Sequence, residues 1–252
     1  MKIVSNASGK STIVKFPIDS NGTTLVSGAL LTMGVTAASN MGALIVSGAA
    51  AADAVGILLG PDFPAAANGA IAAEADSTIE DGAVRTLREV ELLHPGDIVA
   101  VEYDLADTVA LASGSTTTGV VTSSDEETGC WHYFTAGGGI GQLAYIKSYS
   151  TDTATYKSAL TTDPSTSSPF LIRIVAPGRT LVKLTTNASK LGTDAGEGTA
   201  DVLVLKNEFT YDGAPGWMEL DYVKHHNLQL NGLNPKFRAL LCFTNCALSP
   251  IA

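Results

Sequence analysis

The chain has 252 residues, enough for one large β domain or two ordinary ones without help from disulfides or metal ions. Only 16% of its residues are charged and the formal net charge is -10, which excludes a role in wrapping nucleic acid, because neutralising phosphates needs clustered Lys and Arg. Three cysteines, Cys130, Cys242 and Cys246, stand at no framework spacing and predict reduced thiols rather than a disulfide scaffold.

Residues 1–23 read as an extended N-terminal arm with Lys2, Lys10 and Lys15 as its basic residues and Asn21-Gly22 as a turn. The first eight residues lack the apolar run of a signal peptide, so synthesis in the cytoplasm without secretion is expected. Within the arm, Gly9-Lys10-Ser11-Thr12 has the end of a phosphate-binding loop, but the leading glycine is missing. Ile13-Val14-Lys15-Phe16-Pro17 then continues as extended chain instead of opening a helix.

No charge occurs from Ser20 to Ala52, a run longer than a spanning helix requires. Turn formers at Ser27-Gly28, Ser39-Asn40-Met41-Gly42 and Ser47-Gly48 divide it into strand-sized pieces, so no membrane partner is expected. The strands of this unit, Gly28–Leu31, Ala43–Gly48 and Ala54–Leu59, are matched by a second set at Gly96–Val99, Val109–Gly114 and Gly119–Thr122. Two glycine-led units without a catalytic residue at a matching place describe a scaffold, not an enzyme. Between them, the Ala-rich stretch 64–75 has helical propensity broken at Asn68-Gly69, and Ala83–Leu92 alternates partly at period two, which favours a strand running into His94-Pro95-Gly96 over an amphipathic helix.

Asp97, Glu102, Asp104, Asp107, Asp125, Glu126 and Glu127 give the second unit an acidic character that predicts a solvent-facing surface. Gly139-Ile140-Gly141-Gln142 fits a permissive dinucleotide fingerprint. The residues after it, Tyr145–Tyr149, continue as a strand, so Gly137–Gly139 are read as a turn or a close backbone approach. The Ser/Thr-rich residues 151–168 predict a linker or long loop and a domain boundary, with a β-rich C-terminal domain over 169–252. Strands are expected at Phe170–Val175, Leu181–Leu184 and Asp201–Leu205.

Tyr211 to Ala252 is less acidic and more aromatic, which marks Trp217, Tyr222, Phe237 and Arg238 as candidates for a partner or oligomer interface, against the alternative that the aromatics form an ordinary core. His225-His226 with Cys242 and Cys246 offers metal-capable atoms, but adjacent histidines on a strand face opposite ways and Cys-x-x-x-Cys is not a zinc spacing. No metal, cofactor or catalytic residue is predicted.

Ala54-Val55-Gly56-Ile57-Leu58-Leu59, after the glycine-led strand at Gly28 and before the strand Ala83 to Glu91, resembles the head-decoration (cement) proteins of tailed bacteriophages over about Thr24 to Leu92. The resemblance implies a mainly β, barrel-like or tulip-like module over 24–150 that assembles as a homotrimer on the outer capsid surface of the virion, locks the head lattice and has the major capsid protein as its partner. Under this expectation the arm adds a strand to an edge of the lattice through Lys2, Lys10, Ile13, Lys15 and Phe16. The alternatives are a tail-tube or other head-tail protein of the same particle, and a glycan-binding β domain that stacks sugars on Trp131, Tyr133 or Trp217.

Overall fold

The computed structural model describes residues 1–17, 26–33, 44–46, 54–60, 87–121, 127–180, 189–192, 202–225 and 227–248. The Ala-rich stretch 64–75, the start of the strand at Ala83, Leu181–Leu184, Asp125, Glu126 and His226 lie outside the described residues. The fold is mainly β, as the sequence predicts. Among the described residues no helix is long and apolar enough to cross a membrane.

Three antiparallel sheets form the body. In the first, β1 (Lys2–Ser5), β7 (Ile98–Glu102), β18 (Lys236–Phe243), β15 (Val202–Thr210) and β16 (Met218–Glu219) follow one another from edge to edge. In the second, the order is β2 (Ile13–Pro17), β6 (Leu87–Leu92), β5 (Ala54–Leu58), β3 (Leu30–Met33) and β4 (Leu44–Val46). The third runs β8 (Val109–Ala110), β14 (Phe170–Ile174), β11 (Trp131–Ala136), β12 (Gln142–Ser150), β13 (Thr153–Tyr156), β10 (Thr118–Val120) and β9 (Ser113–Gly114), with β17 (Asn227–Gln229) added to β12. A one-turn helix, α1 (Tyr222–His225), precedes β17.

The third sheet curls on itself. Val109 and Ala110 pair with β14, Leu111 N–H donates to Pro169 O, Ala112 N–H donates to Val120 O, and Ser113 and Gly114 pair with β10. One stretch of chain thus pairs with both ends of the strand path, which makes the sheet barrel-like. Period-2 alternation sorts its side chains: Trp131, Tyr133, Ile172 and Ile174 face the main core, while Phe134, Ile146, Tyr156 and Leu171 fill the interior. The main core is common to all three sheets, joining Ile3 and Val99 of the first and Leu30 and Ile57 of the second to Trp131 and Tyr133 of the third.

Several sequence expectations change here. Residues 1–17 are extended as expected, but they are built into the body: β1 pairs with β7 and β2 with β6, so the arm closes one edge of each of two sheets. Residues 151–168 are not a linker. Thr151 and Asp152, both at positive φ (47° and 61°), make the two-residue turn between β12 and β13, and strands from both sides of the expected boundary share sheets through β11–β14 and β7–β18. The two glycine-led units are alike only locally. Gly28 and Gly96 each sit at positive φ (86° and 90°) two residues before a strand, but β3, β4 and β5 stay in one sheet whereas β7 and β8–β10 divide between two.

The first and second sheets are joined by two crossings, 6–12 and 93–97, that run side by side. Asp97, read from the sequence as a surface acid, is 0% exposed at this point. Its Oδ1 accepts from Ala7 N–H at 2.6 Å and its Oδ2 from His94 N–H at 2.8 Å. Burial is tolerated because both oxygens are bonded. An Asp97→Asn variant keeps one acceptor and loses the other, and is expected to cost about 1–3 kcal/mol in urea unfolding for the orphaned donor; an unchanged midpoint would show that the crossing does not depend on this carboxylate.

Candidate functional site

Titratable side chains gather inside the barrel. His132 on β11 and Arg173 on β14 are directly opposite across the ladder, on the inward face, and Glu127 from the preceding turn lies between them. Exposures of 0%, 5% and 1% seal all three from water. Glu127 Oε2 is 2.9 Å from His132 Nε2, Glu127 Oε1 is 3.5 Å from Arg173 Nη1, and His132 Nδ1 is 3.2 Å from the Tyr156 hydroxyl. Burial, and after it the neighbouring carboxylate of Glu127, holds Tyr156 protonated well above the ordinary tyrosine range, so its hydroxyl is a donor. The set is then satisfied when Tyr156 O–H donates to Nδ1 and Nε2–H donates to Glu127.

This order of groups, hydroxyl, imidazole and carboxylate, is the one nucleophilic enzymes use. Here the hydroxyl is held protonated and the cluster is enclosed by Phe134, Ile146 and Leu171, so it pins β11, β13 and β14 to the 127–130 turn. Nearby, burial pushes the Cys130 thiol up to about 11, against the hydrogen bond from Ala176 N–H, which removes it as a ready nucleophile. Glu127, expected on an exposed acidic loop, is therefore the centre of a buried ionic cluster. Position in an acid run gives no sign of this, since the partners lie five and 46 residues further along the chain.

A second buried set ties the barrel to the first sheet. Tyr103 O–H donates to Asn207 Oδ1 and its oxygen accepts from Val175 N–H, each at 3.0 Å, while Asn207 Nδ2–H donates to Val175 O at 2.7 Å. Burial raises Tyr103 above the ordinary tyrosine range, so this hydroxyl stays a donor too.

The expected interface residues separate. Phe237 is core, 5.0 Å centroid to centroid from Tyr133, and follows the alternation that buries Phe237, Ala239, Leu241 and Phe243 along β18. Arg238 points the other way, lies 4.2 Å over the Trp217 ring and bonds Glu208 at 2.6 and 2.7 Å. Tyr222 is exposed on α1 and packs against Tyr145. Trp131 and Tyr133, expected as sugar platforms, have buried rings. Gly9 turns the chain from β1 into β2, a strand and not a helix, and Gly137 and Gly141 turn β11 into β12, where a β-carbon at Gly138 would collide with Thr166 Oγ1. Cys246 Sγ–H donates to Leu93 O, and no group of three metal-capable side chains occurs among the described residues.

The expected arm residues lie at a sheet edge. Lys2 is exposed on β1 and Lys10 in the turn after it; Ile13 and Lys15 share the outer face of β2, whereas Phe16 turns inward against Val90 and Leu58. Leu92 N–H donates to Thr12 O, which places positions 12, 14 and 16 on the ladder side and leaves the backbone groups of 13, 15 and 17 pointing outward. Among the described residues β2 has no neighbour on that side. On the outer face beside it, Ile13 is paired with Glu91, Lys15 with Glu89 and Pro17 with Leu87, so the exposed apolar side chains Ile13 and Leu87 (54% and 56%) are separated by the charged pair Lys15/Glu89.

No protein-family model, curated protein or solved structure matches this chain.

Two variants test the charged clusters. Glu127→Ala leaves His132 and Arg173 enclosed without their carboxylate and is expected to lose about 3–5 kcal/mol in urea unfolding, whereas exposed Glu89→Ala changes stability by about 0.5 kcal/mol or less; equal effects would remove the buried cluster as a structural pin. At Glu208 burial raises the carboxyl, but hydrogen bonds from Lys206 and Arg238 outweigh it and leave the group below its ordinary value of 4.5. The stability it contributes is present above that ordinary value and is lost as pH falls through the lowered one. Glu208→Gln is expected to be less stable than the parent at pH 7, with the gap narrowing steadily below pH 4.5 in urea titrations at each pH.

Proposed function

We propose that the chain is a structural subunit of a tailed-phage particle, docking on the outer surface of the capsid and holding neighbouring capsid proteins together. The observation that carries this reading is the outward edge of β2, where the backbone groups of Ile13 and Lys15 are turned from their own sheet and both side chains are exposed. An extended partner segment laid along that edge gains main-chain hydrogen bonds, and Ile13 and Lys15 set its register. The docking step therefore presents an edge already folded into the body, in place of an arm that folds on arrival.

Three further points support the proposal. The resemblance around Ala54–Leu59 falls on β5, in the same sheet as β2. The cluster with the richest chemistry, Glu127–His132–Arg173, is sealed from solvent, as suits a role without turnover. A net charge of -10 suits an outer surface and is unfavourable beside packaged DNA. A homotrimer, synthesis in the host cytoplasm and the major capsid protein as partner belong to this reading. The tail-tube or head-tail alternative shares the particle and differs in copy number and place. The glycan-binding alternative is weakened, since the Trp131 and Tyr133 rings are buried and one face of Trp217 is covered by Arg238.

Lys15→Pro removes one outward N–H without touching the ladder to β6, and Pro17 already occupies the next outward position. Incubated with undecorated heads and sedimented, this variant is expected to bind at least about tenfold more weakly than the parent. Lys15→Thr, which keeps the N–H, is expected to bind nearly as well, and both variants should melt close to the parent. Parental binding by Lys15→Pro would overturn the edge mechanism, and copies found only on tails would move the protein to the alternative.

A further inference from the structure

A cavity of about 580 Å³ opens between the start of β18 and the turn joining β11 to β12, within the size range of small-molecule sites. Its walls are mostly apolar, with Leu105, Ile140, Leu230 and Pro235 contributing. Five polar side chains also line it: Thr135 and Asn234, which donate to Phe170 O and Asp212 Oδ2, and Tyr133, Asn231 and Lys236. The fold assigns the last three no polar partner among the described residues.

Tyr133 is 6% exposed, with its ring packed on Phe237, yet among the described residues its hydroxyl makes no hydrogen bond. That differs from Tyr103 and Tyr156, whose hydroxyls are bonded inside the core. The ring is in the core while the residue lines the cavity, so the hydroxyl is free to donate to a group bound there. The Asn231 amide and the Lys236 ammonium likewise make no side-chain hydrogen bond or ion pair among the described residues. Asn234, by contrast, is engaged through its Nδ2–H to Asp212 Oδ2 at 2.7 Å.

We infer that this cavity binds a small amphipathic carboxylate, an apolar body of aromatic or medium acyl size that ends in one carboxylate group. The apolar walls take the body, and the lysine ammonium, the tyrosine hydroxyl and the asparagine N–H are all donors that a carboxylate accepts from. The sign of the ligand follows from the site: among the described residues Lys236 is the only charged one lining it, so an amine of the same shape is repelled. Lys236 is exposed at the mouth of the cavity, so its ammonium meets the carboxylate at the rim while the apolar body lies within. The cavity lies in elements other than β2, so this site stands or falls independently of the docking edge.

The test is calorimetric titration of the intact protein with octanoate and with 4-phenylbutyrate, alongside the methyl ester and the amine of the same chains. Saturable one-site binding of at least one acid at or below about 1 mM is expected, with ester and amine weaker by about tenfold or more. Lys236→Met should weaken the acid about tenfold and leave the ester unchanged, and Tyr133→Phe, which keeps the ring in the core, should weaken it several-fold. Both variants should show the parental melting profile, which separates loss of binding from loss of fold. Absence of saturation with both acids, equal affinity for acid and ester, or parental acid binding by Lys236→Met would each overturn the inference.

Discussion

Two stretches of chain cross from one sheet to another side by side, and a single carboxylate holds them in step. Asp97 accepts an N–H from each crossing, so the strands that flank them, β2 and β6 on one side and β1 and β7 on the other, are held in alignment. A slip of one residue would turn every side chain of β1 to the opposite face and take Ile3 out of the core it shares with Val99 and Leu93. The register of two sheets, the edge offered at β2 and the completeness of the main core all follow from this one buried acid.

The interior of the barrel uses a different solution to the same difficulty. Small side chains and little charge give this chain a thin apolar core, and polar groups are brought inside where they can satisfy one another. Glu127, His132, Arg173 and Tyr156 are bound into a closed set, as are Tyr103, Asn207 and the Val175 backbone. Such sets contribute little net stability over apolar packing, but each member is costly to remove alone. They fix which strands lie beside which, a matter on which interchangeable Ala, Val and Leu side chains are nearly silent.

Much of the architecture was legible in the sequence. The mainly β class followed from turn residues at short intervals, the extended arm from Ile13–Pro17, and the turn at Gly137–Gly141 from a strand pattern on both sides. What could not be read was partnership across the chain. Asp97 and Glu127 stand in an acidic stretch, and composition there predicts surface; only their distant partners explain burial. Residues 151–168 have the composition of a linker, yet Thr151 and Asp152 adopt the left-handed turn usually given to Asn-Gly. Phe237 was legible as core from the alternation of Phe237, Ala239, Leu241 and Phe243, a local signal that the aromatic content of the region obscured. Of the docking residues, the alternation of β2 separates Ile13 and Lys15 from Phe16; the cavity beside Tyr133 had no signal at all, because its walls come from four separate places in the chain.

The contacts of Tyr103 bear on how such a chain can change over evolutionary time. Its hydroxyl meets the Val175 N–H, so the chain leaves the first sheet and, after the barrel strands β8 to β14, returns to the same point. Segments whose two ends meet are the ones that proteins gain, lose and exchange most readily, because the parent framework is not asked to move. The barrel is placed as an insertion would be, between β7 and the strands β15 and β18 that complete the first sheet. A chain shortened by this excursion would keep the two crossings and the edge at β2, and would have to replace Trp131, Tyr133, Ile172 and Ile174 in the shared core.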